Sequence, residues 1–245
     1  MINIKQVFVF FLVAISAIDN VNCQVGNNLV PNPSFGEIDA CSPPIYVANT
    51  LHWLPKIGNA QSFCFQTPNI YHSCNGFINV ETLNPGFYFN IPLLDAYVDI
   101  WINTDFSTGS WREFIAAELI SPLQAHQNYC ISFYKSYCDS NSVVVNNLSV
   151  GFFKELCPIP NVSFSLYPYI PEYVTDTIIY DTVQKGWQRV EYNYIAKGDE
   201  KYVIVGWIED VDKLQVTYLV SDTIPNQNHS SSVYLDSVVV RTCKQ

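Results

Sequence analysis

Alternation of apolar and polar residues with a period of two recurs along the chain and constrains its folding more than any other feature. Tyr129, Ile131 and Phe133 alternate with Cys130, Ser132 and Tyr134, and Leu148, Val150 and Phe152 repeat the pattern after an Asn146-Asn147 turn. Val190, Tyr192 and Tyr194 alternate with Arg189, Glu191 and Asn193. Residues 202–207 read as a further strand, entered through a Lys197-Gly198-Asp199 turn. Val233, Leu235, Ser237 and Val239 alternate with Tyr234, Asp236, Val238 and Val240. Successive side chains of a strand point to opposite faces, so this period marks sheet with one face buried. The 15% aromatic share agrees, because flat rings suit a pleated surface. Residues 111–120 (WREFIAAELI) contain good helix formers. Their neighbours are all strands, so a strand is expected there too, with Ile115, Ala117 and Leu119 on one face and Phe114, Ala116 and Glu118 on the other. With no βαβ rhythm and no internal repeat, the pattern predicts a single all-β sandwich domain.

Charge removes some function classes. Lys and Arg total 12 against 22 Asp and Glu, a formal net charge of −10. Nucleic-acid binding draws on cationic neutralisation of phosphates, and an anionic membrane surface also attracts cations. Neither partner suits this chain.

The N-terminus reads as an export signal. Lys5 precedes an apolar run at residues 7–18, too short to span a bilayer and sized like a signal-peptide core. Cleavage is expected after Cys23, giving a signal peptide of residues 1–23 and a mature β domain of residues 24–245; Ala17 is the alternative. Val21-Asn22 before Cys23 makes a poor lipobox, which argues against lipidation. The expected location is secreted or at the extracellular cell surface. In an exported chain the eight cysteines (23, 41, 64, 74, 130, 138, 157 and 243) read as disulfides. Removing Cys23 leaves an odd number. Spacing shows no CxxC pair and no zinc ligand pattern.

Residues 28–35 (NLVPNPSF) are followed along the chain by Cys41, Pro43, Trp53 and the stretch 68–74 (PNIYHSC). Residues 112–115 (REFI), 186–188 (GWQ), 196–202 (AKGDEKY) and 234–238 (YLDSV) come after them. In this order they resemble the motifs of galactose-binding-like jelly-roll modules found in exported Bacteroidota surface proteins, with 28–35 similar to the opening strand and 41–74 to one branch of them. The resemblance implies a disulfide-bearing jelly-roll β-sandwich and a Cys41–Cys74 pair. It also implies a non-catalytic surface or adhesion module. Related jelly rolls often hold a structural Ca²⁺ near the first and last strands, and by match its carboxylates are Glu37 and Asp236. Gly36 stands where the family's first Glu follows Phe, and Ser237 replaces a second Asp.

For carbohydrate, an aromatic face and nearby polar groups are needed. Trp101 and Trp111 flank a polar loop containing Asn103 and Asp105, and this is the leading constellation; Trp53 is a secondary candidate. Catalytic patterns are missing. The histidines (52, 72, 126 and 229) lie apart, no GxSxG elbow is present, and residues 209–212 (EDVD) read as an acidic turn. Sequons for N-glycosylation occur at Asn147, Asn161 and Asn228, and Bacteroidota-type O-glycosylation patterns include Thr177 and Thr223. The expected function is carbohydrate binding at the cell surface. A structural or adhesive protein assembling with other surface proteins is the alternative.

Overall fold

The computed structural model describes residues 27–41, 50–53, 56–57, 64–65, 68–75, 96–103, 113–137, 143–145, 148–155, 187–207, 216–218 and 230–243. The signal segment, residues 209–212 and the acceptors Asn147, Asn161, Asn228, Thr177 and Thr223 lie outside them.

Strands dominate, and the alternation explains their burial. In chain order the first four are β1 (Lys56–Ile57), β2 (Cys64–Phe65), β3 (Asn69–His72) and β4 (Ala96–Asn103). Next come β5 (Phe114–Glu118), β6 (Asn128–Tyr137), β7 (Val143–Val145) and β8 (Ser149–Phe153). The last are β9 (Gln188–Ile195), β10 (Tyr202–Gly206), β11 (Val216–Tyr218) and β12 (Ser230–Thr242). A five-stranded sheet has the order β3-β4-β12-β6-β9 and a three-stranded sheet the order β5-β10-β8, with antiparallel pairing throughout. From β4 through β6 and again from β8 to β10 and β12, the chain steps repeatedly from one sheet to the other. That alternation between sheets is the jelly-roll path. The pairs β1–β2 and β7–β11 stand apart as small sheets.

The core lies between the two main sheets. Val98, Ile100 and Ile102 of β4, Ile131 and Phe133 of β6, and Val233 and Leu235 of β12 face inward. Ile115 and Ala117 of β5, Val150 and Phe152 of β8, and Val203 and Val205 of β10 meet them. Phe152 stacks on Tyr194 of β9 at 4.6 Å, joining the layers. Residues 114–118 form a strand as expected, because burying Ile115 and Ala117 against the core outweighs local helix propensity.

One alternation fails. Strand β12 carries an irregularity between Asp236 and Val239, with Ser237 at φ 54°. The extra residue reverses the parity beyond it, so Val238 and Val240, rather than Val239, enter the core.

The opening motif is architectural. Asn28 accepts hydrogen bonds through Oδ1 from the backbone N–H groups of Val30 and Val240, and donates to the carbonyl of Val238. Asn32 donates through Nδ2 to the carbonyls of Glu37 and Leu51 and accepts from the Glu37 N–H. Phe35 tucks behind it, fully buried, with its ring 4.7 Å from Trp53. Among the described residues two disulfides close the frame: Cys41–Cys74 and Cys130–Cys243.

The second bridge joins β6 to the end of β12 across 113 residues of sequence. Replacing Cys130 and Cys243 together by Ser lowers the unfolding free energy by about 5 kcal/mol on chain-entropy grounds. Urea unfolding of the paired variant checks this, and an unchanged midpoint would show that strand pairing alone holds β12.

Candidate functional site

Strand alternation that buries Val98, Ile100 and Ile102 turns Tyr97, Asp99 and Trp101 to the outer face of the five-stranded sheet. Cross-strand register then sets their neighbours. Asp99 lies between Asn69 of β3 and Tyr234 of β12, Tyr97 lies beside Tyr71, and Trp101 lies beside Ser232. Tyr234 in turn faces Ser136 of β6.

Four rings gather here. Tyr71 stacks on Tyr97 with centroids 4.9 Å apart and planes 18° from parallel. Tyr234 meets Tyr97 edge-on at 5.2 Å and Tyr71 at 6.3 Å. Trp187, just before β9, meets Tyr97 at 5.9 Å and 74°. Tyr71, Trp187 and Tyr234 are half-buried, so ring surface remains accessible.

Polar groups beside the rings are unusual. Asp99 Oδ1 and Ser136 Oγ are buried with no hydrogen-bond partner among the described residues. They flank Tyr234 on either side. Burial raises the Asp99 carboxyl to about 7; a hydrogen bond from Ser232 opposes the rise and the nearby Glu113 carboxylate adds to it. Glu113 is fixed at the edge of β4, accepting the Trp101 N–H at 2.9 Å through Oε2 while its own N–H donates to the Trp101 carbonyl. Gly206 lets β10 pass close to the Glu113-Phe114 backbone: at φ 156°, a Cβ there would stand 2.5 Å from the Phe114 Cβ and 2.8 Å from the Glu113 carbonyl.

Near pH 7 Asp99 therefore exchanges between a neutral acid, which donates and accepts, and an acceptor-only carboxylate. Set among aromatic faces, such a group can hold a hydroxyl while a ring covers adjoining C–H surface.

Sequence reasoning reached part of this. Trp101 lies on the face, half-buried. Trp111, Asp105 and the Asn103 side chain lie outside the described residues. Trp53 is in the core instead: it is 1% exposed, and its indole N–H donates to the Asn32 carbonyl at 2.8 Å, leaving no face for a ligand. Trp207 is buried likewise. Tyr71, Tyr97, Asp99, Trp187 and Tyr234 were missed as a site, although the alternation in 96–103 (AYVDIWIN) carries the signal. His72 is structural, accepting the Cys74 N–H through Nδ1 and donating from Nε2 to the Gly36 carbonyl.

The carboxylates matched to calcium are differently placed. Glu37 is exposed and faces His52 at 3.7 Å, whereas Asp236 is 2% exposed and accepts the Ser237 N–H at 2.6 Å. The carbonyls of Asn32, Pro33, Gly36 and Glu37 already accept hydrogen bonds. No group of three or more His, Cys, Asp or Glu among the described residues could hold a metal. Calcium takes about six to eight oxygens, and the described residues bring no third carboxylate to Glu37 and Asp236.

No protein-family model and no curated protein matches the chain. Among solved structures, one described as "CBM4 structure and function" is 12% identical with a TM-score of 0.35, over 87% of this chain and 99% of that one. The enzymatically active domain of bacteriophage CBA120 tailspike protein 4 is 10% identical with a TM-score of 0.31, over 88% of this chain and 21% of that one. Among the described residues no helix is long and apolar enough to cross a membrane.

Burial raises Asp236 to about 7 also, against opposing hydrogen bonds from Ser237. Between pH 4 and 7 the folded state holds protons on Asp99 and Asp236 that the unfolded chain has released. Stability is therefore greatest at the acid end of that window and falls by several kcal/mol as pH rises through it. Urea midpoints measured across the window show this fall, and it shrinks in Asp99→Asn; a flat or rising profile would contradict the assignment.

Proposed function

We propose that the protein is an exported, non-catalytic cell-surface module that binds carbohydrate on the outer face of its five-stranded sheet, in the manner of the galactose-binding-like modules its motifs resemble. The observation that carries this reading is the row Asn69–Asp99–Tyr234–Ser136, with two buried polar atoms lacking partners among the described residues and four rings beside them. Pyranoses present apolar C–H faces and equatorial hydroxyls, and the face offers both complements. The two disulfides and the signal-like N-terminus support extracellular residence.

A glycan array probed with residues 24–245, with and without calcium, tests the reading. Saturable binding is expected, weakened about tenfold or more by Tyr71→Ala or Asp99→Ala through loss of a stacking ring or a hydroxyl acceptor. Trp101→Ala reports whether the neighbouring indole belongs to the same face. A blank array under both conditions would overturn the sugar reading and favour assembly with other surface proteins.

A further inference from the structure

The outer sheet face continues beyond the aromatic row towards β9, and its chemistry changes. Burial of Val190 and Tyr194 turns Arg189, Glu191 and Asn193 outward. On β6 the outward positions include Cys130 and Ser132, and on β12 the residue beyond buried Val240 is Arg241. Register aligns Arg241, Cys130 and Asn193 in one row, Ser132 with Glu191 in the next, and Tyr134 with Arg189 beyond. Along this stretch lies a cavity of about 620 Å³, lined by Ser132, Gln188, Arg189, Glu191, Asn193 and Arg241 among others. That volume is within the range of small-molecule sites.

Its charge runs against the rest of the molecule. The chain has 12 cationic residues against 22 acidic ones, yet two arginines meet at this cavity with one carboxylate. Glu191 pairs with Arg189. Arg241, half-buried, has no hydrogen-bond or ion-pair partner among the described residues. Lys135 also lines the cavity, but its ammonium lies 4.9 Å from the Tyr137 ring centroid, so the count rests on the arginines. A guanidinium whose donors are not engaged presents a paired fork suited to a planar carboxylate or a sulfate.

We propose that this cavity is an anion subsite of the sugar-binding face, with Arg241 as its principal donor and Arg189, Asn193 and Ser132 around it, and that the glycan bound carries acidic units, uronate or sulfate ester. The inference rests on the sugar-binding reading and adds the class of ligand. Neutral units of the glycan lie on Tyr71, Trp187 and Tyr234, and the acidic group enters the cavity.

Calorimetric titration of residues 24–245 tests it with matched pairs: oligogalacturonate against its methyl-esterified form, and a sulfated galactan against its desulfated form. At least one acidic member binds about tenfold or more tightly than its neutral counterpart, with the excess shrinking at high salt. The pair showing the excess identifies the anion. Arg241→Gln brings the ratio towards one, and Arg241→Lys, which keeps the charge without the fork, retains part of it. Equal affinities within both pairs, or a preference that survives both Arg241→Gln and Arg189→Gln, would overturn the subsite while leaving the sugar reading intact. If no oligosaccharide binds, thermal shift with free galacturonate and galactose 6-sulfate separates the two proposals. Stabilisation lost in Arg241→Gln keeps the anion subsite alone, and no shift overturns both.

Discussion

The last strand is what the rest of the molecule depends on. Strand β12 enters the five-stranded sheet between β4 and β6, so neither half of the sheet is complete until the C-terminal segment has paired. The opposite end of the chain then closes on it: Asn28 binds the backbone of Val238 and Val240, and the Val238 N–H donates to the Pro33 carbonyl. These contacts link residues more than 200 positions apart. Such long-range pairing carries a loop-closure cost, which the Cys130–Cys243 bridge at the far end of β12 helps to offset.

Inserting β12 also builds the candidate site. Its outward residues Ser232 and Tyr234 are what Trp101 and Asp99 meet across the sheet, and Tyr234 links β4 to Ser136 of β6. Past the irregularity at Ser237, the reversed parity sends Arg241 outward, to the same face as Arg189 and Asn193. With unbroken alternation Arg241 would point into the core, where its charge would be costly. The bulge therefore lets one strand present an aromatic, acid-bearing end and a cationic end on one surface.

How far the sequence foretold this depends on the element. Strand β9 was legible because it has one buried face, so period two appears directly in its residue types, as it does in those of β6. Strands β8 and β10 are buried along nearly their whole length, and the turns that precede them were the clearer signal. Strand β5 was harder: its composition favours helix, and tertiary burial decides. The parity of β12 was misread after Ser237, since Val238, Val239 and Val240 are alike in type and a bulge leaves no compositional mark among them. Trp53 was offered as a ligand platform because indole suits either role; only its contacts with Phe35 and Asn32 show it as core. The aromatic site draws on β3, β4, β12 and the start of β9, so no local stretch could reveal it.

Two acids with enclosed oxygens, Glu200 and Asp99, show why the outer face reads as a site rather than a structural knot. Glu200 is fully buried, and burial alone would push its carboxyl up. The Tyr194 hydroxyl at 2.7 Å and the N–H groups of Lys197 and Gly198 at 2.6 and 2.8 Å instead hold it below the ordinary carboxylate range. Its hydrogen bonds fix the turn between β9 and β10, and the charge is spent inside the fold. Asp99 is half-buried, with one oxygen fully enclosed, but it has Ser232 on one side, a neighbouring carboxylate in Glu113, and that oxygen is without a partner among the described residues. A buried oxygen in that state costs free energy of order 1–3 kcal/mol. Tyr97 and Trp101 fill the neighbouring outward positions of β4 with rings. A ligand hydroxyl donated to that oxygen would offset this cost and return it as affinity.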